Sequence, residues 1–240
     1  MKIRMLYLTI IIAICSIVFC IMMRSSDVET LYFGISYTNI AELYMINWAF
    51  YSCYCFLCFS RTENFLMEYG LHLVVRNHSR KRILIKYIVT ISKEILILEL
   101  IKITVFLIAQ YFIFHKITGS VTNLLYDGLL YIIVIFTMVL LQVMIEIYIN
   151  ATIGLIVNMC SYLFFSFIGS FLYIQYLDTD KKMGVLLNSF FLTNYSMNFR
   201  VNSFIELLHY SKMITVIMLV AIFIVLGLLL LKKFSKKDLL

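Results

Sequence analysis

"MITVIMLVAIFIVLGLLLL", Met213 to Leu231, runs without a charge, and "KKFSKK", Lys232 to Lys237, follows it directly. A helix rises about 1.5 Å per residue, so a run of this length covers roughly the ~30 Å hydrocarbon thickness of a bilayer. Lysines ending such a run belong at the lipid headgroups, where basic residues mark the cytoplasmic side. The stretch reads as a membrane-spanning helix, and it sets the class of the chain as an all-α integral membrane protein.

The composition agrees. The 240 residues are 63% hydrophobic and only 14% charged, against about 25% charged in soluble domains. Mean hydropathy is +0.98. A formal charge of +7 points to Lys and Arg held at an anionic lipid surface rather than to nucleic acid. Cys15, Cys20, Cys53, Cys55, Cys58 and Cys160 all lie in apolar runs, where they behave as small hydrophobic residues. No His or carboxylate sits near Cys53, Cys55 and Cys58, and the four His are far apart in sequence. No metal is expected.

Five more apolar runs precede the last one. Six spans are predicted, at residues 5–23, 43–60, 91–114, 127–150, 151–176 and 213–231. Lys2 and Arg4 before the first run would also suit a signal peptide. The run ends in Met22, Met23 and Arg24 rather than in a small-residue cleavage site, so a retained helix is expected. An even number of spans puts both termini on one side. Lys2, Arg4, Arg61, Arg76, Arg80, Lys81, Arg82, Lys86, Lys232, Lys233, Lys236 and Lys237 fall on that side, against Arg24, Lys116, Lys181, Lys182, Arg200 and Lys212 on the other. The excess makes both termini cytoplasmic. With no Pro, no internal repeat and no linker, residues 1–240 form one transmembrane domain.

Residues 61–86, between the second and third spans, are cytoplasmic in this scheme. Phe65, Leu66, Tyr69, Leu73 and Val74 recur at helical spacing and make one apolar face. Glu63 and Glu68 come early and Arg76 late, which suits a helix dipole. Asn77, His78 and Ser79 then break the pattern before Arg80, Lys81 and Arg82. This is an amphipathic helix, lying on the inner membrane surface or docked in a groove of a cytosolic protein.

Polar groups inside spans are costly and call for partners. Gln142, Glu146 and Asn150, at i, i+4 and i+8, form one ladder. Glu99 and Lys102 are one turn apart and can pair, with Gln110 further out on roughly the same face. A Lys102–Glu146 ion pair across the third and fourth spans is also within reach. These groups are expected to clamp helices together or to line an inward-facing vestibule. The fifth span holds Gly154, Asn158, Ser161, Ser166, Gly169 and Ser170, small residues that let helices approach closely. The second offers an aromatic stripe, Tyr44, Asn47, Trp48, Tyr51 and Tyr54. In the outer segment 177–212, apolar residues such as Val185, Leu186, Leu187, Phe190, Phe191 and Leu192 predict short helices dipping into the outer leaflet.

This pattern resembles an ABC-2 type transporter permease of type V exporter-like architecture. "VRNHSRKRILIK", Val75 to Lys86, is similar to the R-x-x-S-R-x-x run before the third span of small bacterial members. "LTNYSMNFR", Leu192 to Arg200, is similar to their Asn-Tyr-containing outer segment. Within that family it resembles the bacteriocin-immunity and phenol-soluble-modulin exporters. The resemblance implies a bacterial plasma-membrane permease exporting hydrophobic or amphipathic peptides. It makes 61–86 the coupling segment for a cytosolic ABC ATPase, docked through Phe65, Leu66, Tyr69, Leu73, Val74 and Arg76, and 177–212 a re-entrant exit gate. It places a translocation cleft between this chain and a second copy or paralogue, lined by Tyr44, Asn47, Trp48, Tyr51, Asn158 and Ser161. The chain has no G-x-x-x-x-G-K-[ST] run and only 8 Gly. It is therefore expected to be no enzyme and to hold no cofactor, with Mg-ATP bound in the partner subunit. A membrane enzyme would need paired Asp, His-rich or Ser/His groups near an interface, and none is apparent. The alternative is a non-transporting membrane immunity, sensor or scaffold subunit.

Overall fold

Long apolar runs without proline favour uninterrupted helices, because a backbone in lipid must satisfy its own hydrogen bonds. The computed structural model describes residues 2–35, 37, 41–64, 80–177 and 179–236, and all regular structure among them is helical. The α-helices are α1 (Lys2–Met23), α2 (Ala41–Cys58), α3 (Arg61–Asn64), α4 (Arg80–Phe114), α5 (Val121–Tyr148), α6 (Ala151–Tyr176), α7 (Lys181–Asn188), α8 (Asn198–Leu208) and α9 (Lys212–Lys236). Short 3-10 helices span Val28–Tyr32 and Leu192–Ser196.

Among the described residues, 5 helices are long and apolar enough to cross a membrane: Ile3–Met23, Leu84–Phe114, Val121–Tyr148, Ala151–Tyr176 and Lys212–Lys232. The chain is a multi-pass membrane protein. Helix α2, 18 residues long, was expected as a span over 43–60 and is not among the five. It nevertheless lies in the middle of the bundle, with Tyr51, Tyr54, Cys55 and Cys58 all at 0% exposure. A helix face packed against protein needs no lipid-soluble surface, which is why α2 tolerates Asn47, Ser52, Tyr51 and Tyr54 there while Met45 and Phe56 stay exposed. It runs antiparallel to α1, since Arg4 near the α1 start donates to the Phe59 carbonyl just past α2, at 2.8 Å. The Phe19 and Phe50 rings meet edge to face further along the same seam, 6.1 Å apart.

Two boundaries differ from the sequence expectation. The third span, expected to start near residue 91, extends from Leu84 within helix α4, which itself begins at Arg80. The basic run holds no Gly or Pro, and Lys and Arg are good helix formers whose stems reach along apolar surface. Helix α5 begins at Val121 rather than at 127, started by Ser120, whose side chain accepts from the Asn123 amide.

At the far end from the α1 start, the connection after α1 is stitched to the α4–α5 loop. The Val28 amide donates to the Thr118 carbonyl at 3.0 Å, and the Thr118 amide to the Ser26 carbonyl at 2.9 Å. Gln110 Nε2 caps this joint, donating to the carbonyls of Ser25 (3.1 Å) and Asp27 (2.9 Å). Glu29 Oε1 accepts from the Ser120 amide (3.1 Å) and Asn123 Nδ2 (3.0 Å). The segment between α6 and α9 folds onto the same end, where the Phe199 amide donates to the Phe33 carbonyl at 3.2 Å.

Gly34 makes that approach possible. Its φ of +71° is left-handed, and a Cβ there would lie 2.6 Å from Met197 Cβ. Gly34→Ala is expected to destabilise the protein by more than about 1 kcal/mol, read as a lower melting temperature in detergent. An unchanged melting temperature would show that this joint does not hold the outer segment.

Candidate functional site

Within the bundle, Glu99 and Lys102 share one face of α4 and pair at 2.9 Å, with side chains 2% and 1% exposed. Two hydroxyls also donate to the Glu99 carboxylate. Tyr32, from the Val28–Tyr32 turn, bonds Oε1 at 2.6 Å, and Tyr54 of α2 makes a short bond to Oε2. The Lys102 ammonium lies over the rings of Tyr131 (3.7 Å), Tyr32 (4.6 Å) and Phe50 (5.2 Å). Anion and cation thus each receive several partners, as removing charges from water requires. Aromatic faces and charge-assisted hydroxyl bonds replace hydration. Tyr32 as a partner of Glu99 is invisible in sequence, being 67 residues away.

The ladder expected on α5 splits. Gln142 Nε2 donates to Glu146 Oε1 at 2.9 Å and to the Cys55 carbonyl of α2 at 2.9 Å. Asn158 Nδ2 of α6 donates to Gln142 Oε1 at 3.2 Å and to Cys55 Sγ at 3.4 Å. The node therefore ties α2, α5 and α6. Asn150 stands outside it: α5 ends at Tyr148, and the exposed Asn150 caps α6 by accepting from the Ile153 amide at 2.7 Å. The i+8 spacing failed because the helix does not continue through Asn150. Lys102 has Glu99 for its carboxylate, in place of the Glu146 pairing considered from sequence.

The residues expected to line a cleft form the α2–α6 seam. Tyr51 stacks on Tyr162 with centroids 4.1 Å apart and planes 13° apart. Trp48 Nε1 donates to the Met159 carbonyl at 3.4 Å, and Tyr44 and Ser170 share a short hydroxyl bond. Asn47 Nδ2 bonds the Leu43 carbonyl at 2.9 Å and Ser161 Oγ the Asn158 carbonyl at 2.9 Å, both within their own helices. Any cleft here requires that this seam open.

At the end where the bundle is closed by the outer segment, Arg200 of α8 is 0% exposed. Its Nε donates to the Ile35 carbonyl (3.0 Å), Nη1 to the Ser166 carbonyl (3.0 Å) and Asn194 Oδ1 (2.6 Å), and Nη2 to Ser170 Oγ (2.8 Å). The Tyr37 ring lies 5.1 Å from the guanidinium carbon. Burial pushes the guanidinium down from its ordinary value, with Tyr44 and Tyr37 opposing that shift. Asn194 is held in turn, its Nδ2 bonding the Asn188 carbonyl at 2.9 Å. A Cβ on Gly169 would lie 2.6 Å from Arg200 Nη1, so a glycine is needed where α6 passes. Sequence reasoning counted Arg200 as an outer-loop charge; only its place in "LTNYSMNFR" set it apart.

At the opposite end, both guanidinium nitrogens of Arg61 reach Glu94 of α4, one of them, Nη2, at 2.9 Å from Oε1. Glu94 raises the Arg61 pKa. Thr62 and Tyr87 share a hydroxyl bond at 2.8 Å. The entrance to segment 61–86 is therefore anchored to α4. Phe65, Leu66, Tyr69, Leu73, Val74 and Arg76, expected to dock an ATPase, lie outside the described residues.

Glu99→Gln would leave the Lys102 charge buried beside a neutral amide and is expected to cost about 3–5 kcal/mol. Adding Lys102→Met should restore much of that loss, giving a large coupling energy in a double-mutant cycle of detergent unfolding. Independent effects of the two substitutions would contradict the pairing.

No curated protein and no solved structure matches the chain. A family model described as "Protein of unknown function (DUF2705)" matches residues 3–240, and the chain belongs to that family.

Proposed function

We propose that the chain is the transmembrane permease subunit of an ABC-2 type exporter of hydrophobic or amphipathic peptides, driven by a separate cytosolic ATPase. The observation that carries this reading is the outer segment. Helices α7 and α8, 8 and 11 residues long, are too short to cross and fold back against the bundle around Arg200. Short helices closing one end of a helical bundle are what an exit gate needs. In this reading α2 is the sixth span, both termini are cytoplasmic in a bacterial plasma membrane, and residues 61–86 couple to the ATPase. A second copy or a paralogue completes the pathway, with the α2–α6 seam opening toward it. The Gln142–Glu146–Asn158 node sits where motion of α5 would reach that seam.

The second reading, a non-transporting immunity, sensor or scaffold subunit, draws support from the tight closure of the same seam. The two are separated by purifying the tagged chain with its ATPase and reconstituting both in proteoliposomes. The permease reading predicts ATP hydrolysis stimulated by an amphipathic peptide, and Arg76→Glu should weaken ATPase association. Copurification without peptide stimulation would favour the second reading. Glu146→Gln is expected to assemble normally while export falls; loss of folded protein instead would assign Glu146 to helix clamping.

A further inference from the structure

The buried Arg200 and the α2–α6 seam meet at one atom. Ser170 Oγ, on α6, accepts from Arg200 Nη2 at 2.8 Å. The same oxygen shares a short hydroxyl bond with Tyr44, in the first turn of α2. One hydroxyl on α6 thus joins a side chain of α8 to a side chain of α2.

The surroundings make that hydroxyl matter. No carboxylate pairs with Arg200 among the described residues, so its charge rests on neutral acceptors, and losing one of them is costly in a buried site. There is little slack to find a replacement. A Cβ on Gly169 would lie 2.6 Å from Arg200 Nη1 and 2.4 Å from Asn188 Oδ1. The Tyr37 ring beside the guanidinium is itself stacked on Tyr173 of α6, with centroids 3.9 Å apart. Ser170 also has a competing partner: its Oγ lies 3.5 Å from the Ser166 carbonyl one turn back, the back-bond that a helical serine makes when nothing draws it outward. Tyr44 and Arg200 draw it outward together. The start of α8 is anchored elsewhere, where Asn198 Nδ2 donates to Asp127 Oδ2 of α5 at 2.6 Å.

We infer that Ser170 is a positioning residue that couples the α2–α6 seam to the outer segment. The Tyr44 hydroxyl holds Ser170 where Arg200 uses it, so parting α2 from α6 loosens the chain around Arg200. The coupling is reciprocal: displacing α8 weakens the seam at Tyr44. Its purpose rests on the exit-gate reading, but the contact is measured without ATPase or peptide, so a failed permease assay leaves the result standing.

The test is hydrogen exchange of the full chain in detergent micelles, read by mass spectrometry over residues 192–208. Tyr44→Phe deletes one hydroxyl on α2 and should speed exchange there about fivefold, the effect of one ordinary hydrogen bond on local opening. Ser170→Ala should do at least as much, and adding Tyr44→Phe to it should change little, because both act at one atom. Trp48→Phe removes a different bond of the same seam, from Nε1 to the Met159 carbonyl. It leaves Ser170 untouched, and exchange over 192–208 should stay at the wild-type rate. Should Ser170→Ala fail to fold, the contrast between Tyr44→Phe and Trp48→Phe still decides. Unchanged exchange in Tyr44→Phe, or an equal rise in Trp48→Phe, would overturn the assignment.

Discussion

One carboxylate organises the interior. Glu99 accepts from an ammonium on its own helix and from tyrosines on α2 and on the turn after α1. The stretch of helix α4 around it is rich in Ile and Leu, and an apolar stretch among apolar helices has little to fix its rotation or height. A charged group in a low-dielectric interior must satisfy its oxygens or lose several kcal/mol, so the bundle is held in the one register where Tyr32 and Tyr54 reach Glu99. Tyr131 then brings α5 into that register through the ring over Lys102.

Arg200 solves the same problem differently. Its hydrogen bonds go to backbone carbonyls, an amide and a hydroxyl, so the outer segment is held by many directional bonds to neutral groups. Such an arrangement is specific in geometry but, lacking a direct carboxylate contact, less costly to separate than an ion pair. The opposite end is different again: Arg61 and Glu94 form a largely buried two-nitrogen pair, charge against charge rather than charge against neutral groups.

Much of this architecture was legible in the sequence because apolar run length is a direct physical requirement of lipid. The Glu99–Lys102 pair was legible for a similar reason, since i, i+3 spacing on a helix dictates proximity. Asn150 was misread because its spacing from Glu146 has meaning only if the helix continues, and a residue with a side-chain acceptor is equally suited to start the next one. The third span was placed too late because its start was set by the charges at Lys86 and Lys93, whereas the helix runs on through them from Arg80. Tyr32 and Arg200 were not legible as core residues: their partners come from segments far away in the chain, and no local period records them. The aromatic stripe on α2 stood out, yet which ring faces which partner depended on the packing of α6.

Helix α4 is 35 residues long, about 52 Å, well beyond the ~30 Å that a bilayer core demands. Arg80 and Lys102 are thus about 33 Å apart on one continuous rod, with Glu94 gripped by Arg61 partway along it. A helix without proline lacks the commonest cause of a sharp kink, so α4 can act as a lever with the ionic centre at Glu99 as its fulcrum. A tilt imposed at the Arg80 end of α4 must either swing the far arm, which carries Gln110 and the joint at Ser25 and Asp27, or break the bonds at the fulcrum. Movement at one face of the membrane is therefore mechanically felt at the other without any loop in between.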